Sequence, residues 1–131
     1  MKKVIDTEAL LAFYLDELGA DKMEELLQKS LHGSLKCFLN VVNLCEFYYI
    51  LARRSKRVAN DKERNLRSYG VRIVPVDDDS LWREAALLKA SYSLSIADAF
   101  AAATAKILKA ELVTGFDKEF QNIGLKIERI R

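Results

Sequence analysis

Apolar positions along the chain alternate between two spacings. Lys3-Val4-Ile5 is a short β-branched run that predicts a buried strand. A helix follows through Leu18, ended by Gly19. Met23, Leu26, Leu27 and Leu31 then fall on one helical stripe, stopped at Gly33. Leu35 to Val42 reads as a second strand. Leu44, Phe47, Tyr48 and Leu51 return to the helical period, and the basic stretch beyond them continues helical to about Tyr69 before Gly70. Val71 to Val76 alternates as a third strand, with Pro75 marking its end or an edge. Asp79 or Ser80 is placed to cap a helix holding Trp82, Ala86 and Leu87. Ile96, Ala99 or Phe100, Ala103 and Ile107 line another helix, whose many alanines allow close approach to a sheet. Leu112 to Thr114 gives a fourth strand and Leu125 to Ile130 a fifth.

Strands alternating with helices predict an α/β fold, with a central, mostly parallel sheet of about five strands covered on both faces. At 131 residues, without internal repeat or linker, the chain reads as one domain, 1–131. That length buries about two-thirds of the unfolded surface, enough for a core without metal or disulfide staples. No apolar run reaches the ~20 residues of a membrane span. The N-terminus meets Asp6 too early for a signal peptide, so a cytoplasmic location is expected. Cys37 and Cys45 have neither zinc spacing nor a disulfide framework, and both read as small buried hydrophobes.

The net charge of +2 says little about partners, but its distribution says more. Arg53, Arg54, Lys56, Arg57, Lys62, Arg64, Arg67 and Arg72 face only Asp61 and Glu63 between them. This is either a solvated helix face or a surface for phosphates or an acidic partner.

Four acids stand where strands or loops turn into helices: Asp6, Glu46, Asp98 and Asp117. Each has an ordinary explanation in helix capping. Asp6 suits an N-cap, and Asn43-Leu44-Cys45-Glu46, Ser95-Ile96-Ala97-Asp98 and Thr114-Gly115-Phe116-Asp117 fit the capping-box spacing. Together they suggest more. Asp6 and Asp117 follow strands, and ligands of open parallel sheets bind at that strand edge. Convergent carboxylates repel one another by about 4 kcal/mol per pair at 4 Å and an effective dielectric of 20, so they must take up protons or a cation. An all-oxygen donor set suits Mg²⁺ or Mn²⁺ better than zinc, and the single His32 reads as a surface residue. No P-loop, dinucleotide fingerprint or nucleophile elbow is present.

These segments resemble the four acidic motifs of the PIN-domain nucleases. The resemblance is carried by Val4-Ile5-Asp6-Thr7, Asn43-Leu44-Cys45-Glu46-Phe47-Tyr48-Tyr49, Ser95-Ile96-Ala97-Asp98-Ala99 with the alanine-rich run after it, and Val113-Thr114-Gly115-Phe116-Asp117-Lys118-Glu119-Phe120. It covers nearly the whole chain in order, and the compact form is most similar to the VapC-type toxins of toxin–antitoxin pairs. It implies a three-layer α/β/α fold, and Asp6, Glu46, Asp98 and Asp117 as catalytic residues and Mg²⁺ or Mn²⁺ ligands. Thr114 would be a hydroxyl near the metal, with Thr7 and Asn43 as site support. It also implies RNA as the substrate of an endoribonuclease, a homodimer, and an antitoxin partner. Two positions depart from the family pattern. Glu8 stands where a small polar residue is common, and two residues rather than one separate Thr114 from Asp117.

Other readings remain at this stage: a PIN nuclease of RNA processing or decay, a non-catalytic PIN-like domain binding RNA or protein, and a haloacid dehalogenase-type phosphatase. The last needs a second Asp two residues after the first, where this chain has Glu8. Tyr48 is expected in the core, and Tyr49 partly exposed and available to stack on bases.

Overall fold

The computed structural model describes residues 1–115 and 119–131. Its elements are β1 (Lys2–Ile5), α1 (Thr7–Tyr14), α2 (Ala20–Leu31), β2 (Lys36–Asn40), α3 (Val41–Ala52), α4 (Lys56–Ser68), β3 (Arg72–Val74), α5 (Asp79–Ser91), α6 (Ile96–Leu108), β4 (Glu111–Thr114) and β5 (Ile127–Arg129). The strands form one five-stranded sheet in the order β3-β2-β1-β4-β5. Every neighbouring pair is parallel. The chain therefore builds outward from β1 on one side, then returns to lay β4 on the other, which puts the topological switch point between β1 and β4.

Both faces of the sheet are covered, and the strand period decides what each residue meets. Ile5 and Val113 pack with Leu10, Leu27, Phe47 and Leu66 on the face covered by α1 to α4. Val4 and Leu112 point the other way, toward Leu81, Leu88, Phe120 and the alanines of α6. Lys3 is buried in the sheet because Glu111 of β4 and Glu128 of β5 both neutralise it. Helix α6 reaches the sheet through Ala97, Ala99, Ala101, Ala102, Ala103 and Ala105, all buried. Added methylenes have no room at the fully enclosed positions, so Ala102→Leu is expected to destabilise by about 1–3 kcal/mol. A lower urea midpoint at unchanged slope is the readout.

Several boundaries differ from the expectations, each for a local reason. Helix α1 stops at Tyr14 rather than Leu18, and Asp16 and Gly19 take left-handed backbone in the loop that follows. The helix expected to run on to Tyr69 is two helices, because Ser55 caps a new one through Val58 N–H. Strand β2 ends at Asn40, whose side chain accepts from Val42 N–H at 2.8 Å and starts α3 two residues before the expected boundary. Asp78, not Asp79 or Ser80, caps α5. That helix carries two apolar stripes. Leu81, Ala85 and Leu88 are buried, whereas Trp82, Ala86 and Leu87 face outward. In α2, Leu31 is exposed and Ser30 takes the inward place. In α6, Ile96 and Ile107 are exposed. Cys37 is buried as expected, but Cys45 is exposed on α3. His32 is exposed. Among the described residues, no helix is long and apolar enough to cross a membrane.

Candidate metal and nuclease centre

Asp6 directly follows β1, and its backbone N–H donates to Val113 O of β4 at 3.0 Å. Its side chain is fully enclosed. Oδ1 accepts from Glu8 N–H at 2.6 Å and so caps α1, while Oδ2 accepts from the Thr114 hydroxyl at 2.5 Å. Thr114 is the last residue of β4, so this bond spans the switch point. Burial lifts the Asp6 carboxyl from its ordinary 3.8 to about 7, with the negative charges of Asp98 and Glu8 adding to the rise against the two hydrogen bonds that oppose it.

Asp98 stands in the first turn of α6, capped at Ser95, whose Oγ accepts from Asp98 N–H at 3.1 Å. Partial burial raises its pKa, and the charges of Glu119 and Glu46 push it the same way. Glu46 lies half-buried on α3. It is not part of a capping box, since Asn40 holds the cap. Asn43 is instead buried inside α3. Its Nδ2 donates to Thr7 Oγ1 at 3.1 Å and to Ala97 O at 3.1 Å. Thr7 adjoins Asp6 and Ala97 adjoins Asp98, so one amide ties together the segments that carry two acids, one helical turn before Glu46. The Asn43 Oδ1 atom is buried and has no hydrogen-bond donor among the described residues.

The expected residues thus fall into two groups. Asp6, Thr7, Asn43 and Thr114 form a hydrogen-bonded set, and Asp98 and Glu46 belong to it through electrostatic proximity. Asp117 lies outside the described residues. Thr114 is the last residue of β4, and the capping box expected from Thr114 to Asp117 runs beyond the described residues. Glu8 is bound to Arg131, Oε1 to Nη2 at 2.9 Å, and Gly115 leaves room for this pair, since a Cβ there would collide with the Glu8 carboxylate. Glu119 is a carboxylate beside Asp98 that its sequence context did not single out, because nothing local assigned it an element or a partner.

Among the described residues, no three His, Cys, Asp or Glu side chains are close enough to enclose an ion by themselves. The donor set nonetheless fits a hard divalent ion. Its members are oxygens, burial together with the charges of Asp98 and Glu8 lifts its innermost carboxyl to about 7, a rise that a bound cation would oppose, and Mg²⁺ keeps several waters instead of requiring a protein cage.

The strand order and the all-parallel pairing define a parallel α/β protein, with Asp6 and Thr114 at the ends of its central strands. The PIN domain family model matches residues 3–126, and the chain belongs to that family. Its fold is that of the VapC-type toxins. A toxin–antitoxin complex from Klebsiella pneumoniae matches at 17% identity and TM-score 0.77, over 98% of both chains. VapBC2 from Rickettsia felis, bound to a promoter DNA fragment, matches at 20% identity and TM-score 0.77, over 98% of both chains. VapC20 of Mycobacterium tuberculosis, a toxin that cleaves the sarcin–ricin loop, matches at 19% identity and TM-score 0.69, over 94% of this chain and 95% of that one. No curated protein matches the sequence.

Proposed function

We propose that the chain is a divalent-metal-dependent endoribonuclease, the toxin of a toxin–antitoxin pair, acting in the cytoplasm as a homodimer held in check by its antitoxin. The observation that carries this reading is the enclosed Asp6 carboxyl at the switch point, crowded by Asp98, which is itself crowded by Glu46. Asp6, Glu46, Asp98 and Asp117 would hold Mg²⁺ or Mn²⁺. The bound ion would supply a water of lowered pKa and charge to offset that developing on a scissile phosphate.

The chain's own groups do the positioning. Thr114 and the amide of Glu8 fix both oxygens of Asp6, leaving the carboxylate little freedom to turn. Asp98 is aimed by the Ser95 cap at a helix N-terminus, whose dipole favours an anion. Beyond Glu46, α3 presents exposed Tyr49 with the Arg53 guanidinium 4.8 Å from its ring centroid. Tyr48 is held inward by a 2.6 Å bond to Asn60. Arg53 follows Glu46 by seven residues, ~10 Å along the helix. Arg54, Lys56 and Arg57 add exposed positive charge at the α3–α4 junction, while Arg64 and Arg67 are occupied by Asp61 and Glu63. A single-stranded RNA backbone leaving the acidic site would meet these exposed cations.

The test is cleavage of a panel of structured RNAs by the purified chain with Mg²⁺. EDTA is expected to abolish cleavage and Mn²⁺ to restore it. Asp98→Asn is expected to lower the rate about a hundredfold or more, the scale of losing one group that stabilises transition-state charge. Cleavage that persists in EDTA, or an unaffected Asp98→Asn, would overturn the reading.

A further inference from the structure

Asn43 is placed and partnered unlike a residue that only fills space. It is 1% exposed, and both hydrogens of its amide are spent on the segments beside Asp6 and Asp98. The Thr7 hydroxyl also reaches the Asn43 backbone carbonyl, at 3.4 Å. Yet the side-chain oxygen of the same amide accepts nothing among the described residues. Buried carbonyl oxygens are rarely left so, because nothing in the fold repays the lost hydration. An apolar residue or a threonine would avoid that penalty.

We propose that Asn43 is a positioning residue of the carboxylate site, clamping α1 and α6 to α3 through its nitrogen and accepting, through its oxygen, a hydrogen from a hydration water of the divalent ion. This rests on the metal-dependent reading above and adds a group outside the four acids. Asn43 precedes Glu46 by three residues and so shares its helix face. Its two nitrogen partners flank the other two acids, so the amide lies between the segments carrying all three. The oxygen orients water and the nitrogen sets the spacing of the carboxylates. Partners of this kind commonly change metal affinity by about 10–100-fold.

The experiment is calorimetric titration of Mn²⁺ into the wild-type protein, Asn43→Ala and Asn43→Thr, with the thermal midpoint of each metal-free protein measured in parallel. Asn43→Ala is expected to lower the midpoint and to weaken Mn²⁺ binding about 10–100-fold. Asn43→Thr offers a hydroxyl donor to Ala97 O but no carbonyl, so it is expected to recover the midpoint and not the affinity. Should Asn43→Ala fail to fold, Asn43→Thr alone decides. Wild-type affinity in either variant would overturn the proposal and reduce Asn43 to a packing residue, leaving the nuclease reading intact. A wild-type protein that binds no Mn²⁺ would overturn that reading, and this proposal with it.

Discussion

Asp6→Asn is expected to raise the thermal midpoint of the metal-free protein at pH 8 by on the order of 10 °C. The wild-type carboxyl titrates at about 7 in the folded chain, against 3.8 ordinarily. Between those values the native state keeps a proton that the unfolded state releases. Stability therefore falls as pH rises through that window and levels off above about 7. Ionising this enclosed group costs about 4 kcal/mol by pH 8. Asparagine removes that cost and can keep both contacts, its oxygen on Glu8 N–H and its nitrogen toward the Thr114 hydroxyl. The gain should shrink by more than half at pH 5, where the wild-type carboxyl is still protonated. Melting curves at both pH values in EDTA check this, and an equal gain at both would refute the electrostatic origin. Added Mn²⁺ should narrow the gap at pH 8, stabilising the wild type by about 2.7 kcal/mol at a hundred times Kd and leaving Asp6→Asn unmoved.

Phe47→Ala is expected to lose about 3–5 kcal/mol, a large share of the 5–15 kcal/mol available to a domain. Phe47 has no exposed surface, and its ring lies 5.3 Å from that of Tyr14 on α1. It belongs to the core on the α1–α4 face together with Ile5 and Val113. Truncation leaves a cavity directly beneath the turn that carries Glu46. Tyr49→Ala, two residues along and outward-facing, is the contrast. It forfeits the Arg53 stacking contact and should cost no more than about 1 kcal/mol. Urea denaturation of both variants separates the two cases, and similar losses would mean that α3 is oriented otherwise.

The order of strands and helices was legible because buried parallel strands read as short β-branched runs and because glycines punctuate the helices. Which face of a helix turns inward was less legible. Helix α5 offers Leu81-Ala85-Leu88 and Trp82-Ala86 as rival stripes, and period alone cannot rank them. Packing against α6 selects the first. Residues 41 and 42 are valines, suited to a strand, yet they begin a helix because Asn40 turns the chain and caps it. The helix-end positions of Asp6, which caps α1, and Asp98, in the first turn of α6, were legible because capping follows local spacing. The tether through Asn43 was not visible. It depends on the Ala97 carbonyl, 54 residues away, and backbone carbonyls carry no signature in a sequence.

The bond from Thr114 to Asp6 joins positions 108 residues apart. Ribosomes deliver residue 6 first and residue 114 long afterwards, and small domains fold as units. A nascent polypeptide therefore holds its first acid without the strand that orients it for most of its synthesis. Truncated products of stalled translation would carry Asp6 without the hydroxyl that holds it, a consequence of laying down the central pair of strands from opposite ends of the message.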